Sequence, residues 1–278
     1  MKPQAIHEHR VRGTFLVAGF VVATAVALAT AAPLTRRIPD HMGQALVGLV
    51  TSAATFALTL LVAKWERLRL ADLGAAPAAG SVTRFAAGFL AGLTLSLAWA
   101  ACLFMAGHVR WIRTVDTPVL AAPVALLAYL ALACREELAF RGYPLRRLAG
   151  LYGPLAAQVV MALLFALEHV AGGNTWTNAF LGAGTGAVLF GMAALATRGL
   201  AVPLGLHAAW NVGRWVLGGW DVPGYWRPVV EPGFEAYADR AGLLAYVSVM
   251  LAAIAACWWI GRTGRMSPAR AGSRRDDR

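Results

Sequence analysis

The chain has 278 residues, 59% of them apolar and 14% charged, with a mean hydropathy of +0.59. Soluble domains carry about 25% charged residues, so a soluble globular fold is excluded. Three cysteines and aperiodic Gly and Pro likewise exclude a disulfide scaffold, a collagen-like rod and a disordered chain. At about 20 apolar residues per crossing, a polytopic membrane protein of about seven to nine helices fits this length and leaves no room for a sizeable soluble domain.

The first apolar run, 13–33, follows Lys2, Arg10 and Arg12. It is longer than the roughly 7–15 residue core of a signal peptide, so an uncleaved first helix is expected. Further runs lie at 42–63, 85–106, 118–140, 154–171, 178–197, 201–218 and 241–261. The loop 218–240 carries Pro223, Pro228 and Pro232 and is a poor helix candidate; its Trp220, Tyr225 and Trp226 are expected in an interfacial aromatic belt. The expected fold is all-α: a polytopic membrane bundle of eight transmembrane helices forming a single integral membrane domain over 1–278. The six arginines of 262–278 mark a disordered basic cytoplasmic tail.

The net charge is +11, yet its distribution argues against nucleic acid. Arginines flank apolar runs, and no basic stripe interleaves with aromatics. Lys and Arg concentrate in alternate connections, which predicts both termini in the cytoplasm and a bilayer with anionic headgroups as the surrounding partner. The Ala, Gly and Arg usage points to a GC-rich bacterium, hence to a bacterial cytoplasmic (inner) membrane. Cys102, Cys134 and Cys257 lie far apart in apolar runs and are expected as buried thiols.

Ionisable groups inside a bilayer cost about 2.5–3.5 kcal/mol each on insertion scales, so the few within apolar runs are the candidates for chemistry. They are Glu136, Glu137 and Arg141 at the end of the fourth run, Glu168 and His169 in the fifth, and His207 with Arg214 in the seventh, where the polar Asn211 joins them. Glu137 and Arg141, four apart, share a helix face and are expected to pair. Glu136, about 100° away, is left to face a cavity. Phe165 and His169 share a face, as do His207 and Asn211. Glu168 and Arg214 are expected to snorkel to the interface. One unpaired Glu, two His and one Asn are what amide hydrolysis requires: Glu136 deprotonates water, His169 helps to hold it, and His207 and Asn211 donate to the oxyanion. The same residue types also suit zinc, with His169 and His207 as ligands and Glu136 as ligand or base.

Glu136-Glu137-x-x-x-Arg141-Gly, Phe165-x-x-x-His169 and His207-x-x-x-Asn211, in this order on three apolar runs, resemble the motifs of the CAAX-protease and bacteriocin-processing (CPBP, Abi) intramembrane proteases. The resemblance covers about 118–218, the expected catalytic core. It implies an Rce1-like endopeptidase in which Glu136 activates water with His169, His207 and Asn211 form the oxyanion site, and Glu137, Arg141 and Phe165 support them. Metal-independent chemistry is the preferred expectation, with zinc held by Glu136, His169 and His207 as the alternative. The expected substrate is a membrane-associated peptide or protein. The rival class is a non-catalytic membrane protein, either a proton-coupled transporter or an immunity-type binding partner, since buried carboxylates and histidines also serve proton-coupled transport.

Overall fold

The computed structural model describes residues 3–35, 37–38, 40–115, 117, 120–219 and 224–262. The expected tail beyond 262 and Trp220 lie outside these residues. The helices are α1 Pro3–Leu34, α2 Asp40–Glu66, α3 Ser81–Met105, α4 Ala121–Glu137, α5 Tyr143–Tyr152, α6 Pro154–Ala171, α7 Gly184–Thr197, α8 Ala201–Val216 and α9 Glu235–Arg262. A π-helical turn, Leu138–Gly142, links α4 to α5, and another, Asn178–Ala183, leads into α7. With α4 and α5 forming one interrupted rod, the described residues make the eight helical rods that hydropathy predicts, in an all-α polytopic membrane bundle.

Among the described residues, six helices are long and apolar enough to cross a membrane by length and composition: 7–34, 41–66, 81–105, 154–171, 178–197 and 235–260. The exceptions, α4 and α8, are short and carry most of the polar motif residues. Large apolar side chains point outward, among them Phe15, Leu97 and Leu244, each at least 63% exposed. In a bilayer these face hydrocarbon, so the usual inside-out preference does not apply.

Three departures from the expected spans have local causes. The fourth rod runs past residue 140 to Tyr152, further than the continuation through Arg147 with a kink at Pro144 by which the sequence lets Glu136 and His169 meet. Pro144 brings no N–H and crowds the preceding turn, and the chain accommodates it with the π-helical turn and a non-helical Gly142 (ψ −114°). Second, α9 begins at Glu235, inside the expected loop, where the Gly233 N–H donates to the Glu235 carboxylate. Third, the loop residues form a short antiparallel ribbon, β1 Val109–Arg113 against β2 Trp226–Val230, with Trp111 opposite Pro228. Pro228, one of the prolines that disfavour a helix there, is compatible with an edge strand. Trp226 is exposed and Tyr225 is half-buried against Trp215.

One end of the bundle is tied by Arg147 donating to Glu66 (2.7 Å), by Tyr143 donating to the same carboxylate (2.8 Å), and by the Leu200 N–H donating to the Gly74 carbonyl. The ribbon closes the other end, where the Trp111 indole donates to the Leu217 carbonyl. Between them lie two apolar clusters. One is built around Phe140, Tyr143 and Phe165, the other around Trp99, Phe190 and Trp210. The three cysteines are free and half-buried, less enclosed than expected.

Candidate active site

Gly153 sits between α5 and α6 at φ 89°, a conformation open to glycine at no steric cost, and Pro154 starts α6 at the first helical position. The chain therefore doubles back, and residues equally far from Gly153 come level. Glu136 lies 17 residues before Gly153 and His169 lies 16 after it. With about 1.5 Å of rise per residue, the continuation through α5 places Glu136 deep in the rod, so two residues that alternating short spans would set at opposite depths meet.

At the centre, Glu137 and Arg141 are 1% and 2% exposed and approach to 3.3 Å, the pair expected from their spacing. The Arg141 guanidinium lies 4.4 Å from the Phe165 ring centre, 5.6 Å from that of Phe190 and 5.8 Å from that of Phe140. Three aromatic faces thus complete the shell of a buried cation. Glu137 Oε1 also lies 2.9 Å from His207 Nδ1. A carboxylate oxygen accepts, so Nδ1 carries a hydrogen and Nε2 is the nitrogen turned toward Glu136. Its distance to Glu136 Oε2 is 3.5 Å, beyond a direct hydrogen bond. The imidazole is held flat against Phe190, 4.6 Å between ring centres and 19° between planes.

Glu136 differs sharply from its neighbour. Its Oε2 is buried and makes no hydrogen bond among the described residues, while His207, His169, Arg135 and Arg141 are all close enough to act on it electrostatically. His169 is half-buried, with Nδ1 2.9 Å from the Phe165 carbonyl and its ring 4.4 Å from Phe165. A carbonyl only accepts, so in the neutral ring the lone pair is on Nε2. Asn211 is half-buried one turn beyond His207 on the same face of α8. The structure thus gathers Glu136, Glu137, Arg141, Phe165, His169 and His207 into one cluster, with Asn211 on its α8 wall.

Two expectations are corrected. Glu168 does not snorkel: it forms a two-pronged ion pair with Arg135, whose Nη2 donates to Oε2 at 2.8 Å. Nor does Arg214 reach the interface as a solvated cation. Its guanidinium lies 4.1 Å from the Trp99 ring centre and donates to the Gly219 carbonyl at 2.9 Å. Sequence reasoning also overlooked Arg135. The missed signal was position, since Arg135 and Glu168 each directly precede a motif residue and lie 18 and 15 residues from the Gly153 turn.

A zinc ion would need Glu136, His169 and His207 as converging ligands. Among the described residues, no group of three or more His, Cys, Asp or Glu side chains is arranged to hold a metal. The two Nδ1 atoms are taken, in His207 by Glu137 and in His169 by a carbonyl, which leaves each Nε2 toward the site, the orientation that metal-ligating imidazoles also use.

A helical membrane bundle with a buried carboxylate and histidine core is thus the class that fold and site define. Residues 118–213 match the family model described as type II CAAX prenyl endopeptidase Rce1-like. This segment, which holds all three motifs, is similar to that family, and the match supports a peptidase. No curated protein matches the sequence.

Proposed function

We propose that the chain is an intramembrane endopeptidase that cuts a membrane-associated peptide or protein, with Glu136 as general base. The observation that carries this reading is the contrast between adjacent carboxylates. Glu137 Oε1 is engaged by both Arg141 and His207, whereas, among the described residues, Glu136 makes no side-chain hydrogen bond from its buried Oε2, which lies 3.5 Å from His207 Nε2. In the proposed reaction Glu136 takes a proton from water, the water oxygen attacks the scissile carbonyl, and the tetrahedral oxyanion is met by Asn211 and by His207 as imidazolium, its Nδ1–H held by Glu137 and its Nε2–H free to donate. The proton held by Glu136 then passes to the leaving amine as the C–N bond breaks. His169 Nε2, with its lone pair available, helps to orient the water. General-base catalysis is worth about 10²–10⁴ in rate, and one oxyanion donor about 10²–10³. Both termini on the cytoplasmic side of a bacterial inner membrane remain part of this proposal.

The test compares wild type with Glu136→Gln, expressed equally in host membranes, by the new protein N- and C-termini each produces. A panel of quenched-fluorescence peptides, prenylated and unprenylated, is assayed in parallel on the purified protein. Cleavage lost with Glu136→Gln is the expected result. Cleavage retained by a folded variant removes the assigned base. Proton-coupled flux in reconstituted vesicles without any cleavage points instead to transport.

A further inference from the structure

We propose that Arg135 and Glu168, which lie outside the three motifs, are positioning residues: their ion pair is a strut that sets the spacing of Glu136 and His169 across the cleft between α4 and α6. The inference rests on the hydrolytic reading above and concerns how its two water-handling groups are held.

The geometry has four parts. Arg135 directly precedes Glu136 and Glu168 directly precedes His169. Neighbours on a helix differ by about 1.5 Å of rise and 100° of rotation, so tying the first pair constrains the second. The tie is two-pronged, Nη1 to Oε1 and Nη2 to Oε2. A forked guanidinium–carboxylate pair fixes angle as well as distance, where a single contact leaves both loose. The backbones of α4 and α6 otherwise hardly approach one another, because α4 packs on α2 and α8, and α6 packs on α5 and α7. The Ser52 hydroxyl donates to the Ala131 carbonyl at 2.8 Å, binding α4 to α2. Next to the strut, α6 is held by Phe165 against Phe140 and Arg141 of the π-helical turn; the strut is the polar tie at the residues that directly precede Glu136 and His169.

Burial argues for the same role. Arg135 is 1% exposed, and replacing a buried ion pair by apolar groups of similar size is often neutral or stabilising. The charges are thus poorly explained by stability and better explained by geometry. Phe140 separates this pair from the second one: the Arg135 guanidinium lies 6.0 Å from its ring centre and that of Arg141 lies 5.8 Å away. One ion pair serves His207 and the other serves the α4–α6 spacing, and Glu136 between them has a buried Oε2 that makes no hydrogen bond among the described residues.

The experiment uses the full chain in lipid nanodiscs and two variants. Arg135→Met with Glu168→Met removes both charges at similar length; Arg135→Lys keeps the charge but loses the fork. On a quenched-fluorescence peptide that wild type cleaves and Glu136→Gln does not, both variants are expected to remain folded with KM within about twofold of wild type. The double variant is expected to lose about 10- to 100-fold in kcat, the scale of a misplacement near 1 Å, and Arg135→Lys a smaller part of that. Unchanged kcat in either folded variant overturns the proposal. If wild type cleaves no peptide in the panel, the hydrolytic reading fails, and the strut is judged by histidine ¹⁵N NMR, with His169 assigned by its loss in His169→Gln. Glu136→Gln should then shift the His169 ring signals in the wild-type background and leave them unshifted in the double variant. Equal shifts in both backgrounds refute the strut.

Discussion

Two helix contacts in this bundle are built in opposite ways. Along the α3–α8 seam the backbones nearly touch: a Cβ at Gly88 would run into the Val202 carbonyl, one at Gly92 would lie 2.5 Å from the Leu206 oxygen, and one at Gly205 would strike the Phe85 carbonyl. Across the α4–α6 cleft the backbones stay apart and two long charged side chains span the space. In a bilayer helices gain little from hiding apolar surface from one another, so close packing through small residues and polar ties are the available adhesives. The seam uses the first and the cleft the second. The consequence is functional, because the seam makes α8 a rigid wall for His207 and Asn211, while the cleft keeps room beside Glu136.

The largest expected loss of stability comes from removing the buried carboxylate that ties α4 to α8. Glu137→Ala removes the shared acceptor of Arg141 and His207 and leaves a 2%-exposed guanidinium without its carboxylate. A cost of about 3–5 kcal/mol is expected, read as a fall in the thermal unfolding temperature in detergent or nanodiscs; a shift below 1 °C would contradict it. Breaking the seam ranks second. Gly205→Val forces a branched side chain against the α3 backbone at Phe85 and Phe89, an overpacking that costs about 1–3 kcal/mol. The same change should lower peptide cleavage even where the protein stays folded, because His207 is two residues away; unaltered unfolding and cleavage would mean that the seam is not rigid.

The smallest effect is expected at a pair outside both contacts. In the 67–80 loop, Arg69 donates twice to Asp72 at 2.8 and 3.0 Å and holds its carboxyl below the usual carboxylate range. Both side chains are exposed, so solvent screens the pair. A depressed carboxyl favours the folded state above the unfolded-state value and loses that contribution as pH falls through the folded one. For Asp72→Asn the thermal unfolding temperature and cleavage rate at pH 7 should match wild type, a control for the two larger changes.

Much of the site was legible before the fold. Four-residue spacing put Glu137 with Arg141 and His207 with Asn211, and the rarity of charge in apolar runs singled out the helices whose polar side chains the structure brings together. What was not legible has one cause, the interruption of a helix by irregular backbone. The π-helical turn at 138–142 and the positive-φ Gly153 decide how deep Glu136 lies and which residues of α6 stand opposite it. Glu168 therefore looked like a snorkelling terminal charge, because its partner Arg135 lies 33 residues away. Arg214 was misjudged for a similar reason, since its shell, Trp99, comes from α3.

By itself, then, the sequence determined the class of protein and the residues available for chemistry. Hydropathy sets which segments form apolar helices, and helical periodicity sets which side chains share a face; both are local. Only the tertiary structure decided which of two adjacent carboxylates is committed, because Glu137 meets a histidine 70 residues away while the Glu136 oxygen beside it makes no hydrogen bond. The physical reason is that the neighbours of a buried charge are supplied by other helices, whose depth and rotation depend on the whole packing.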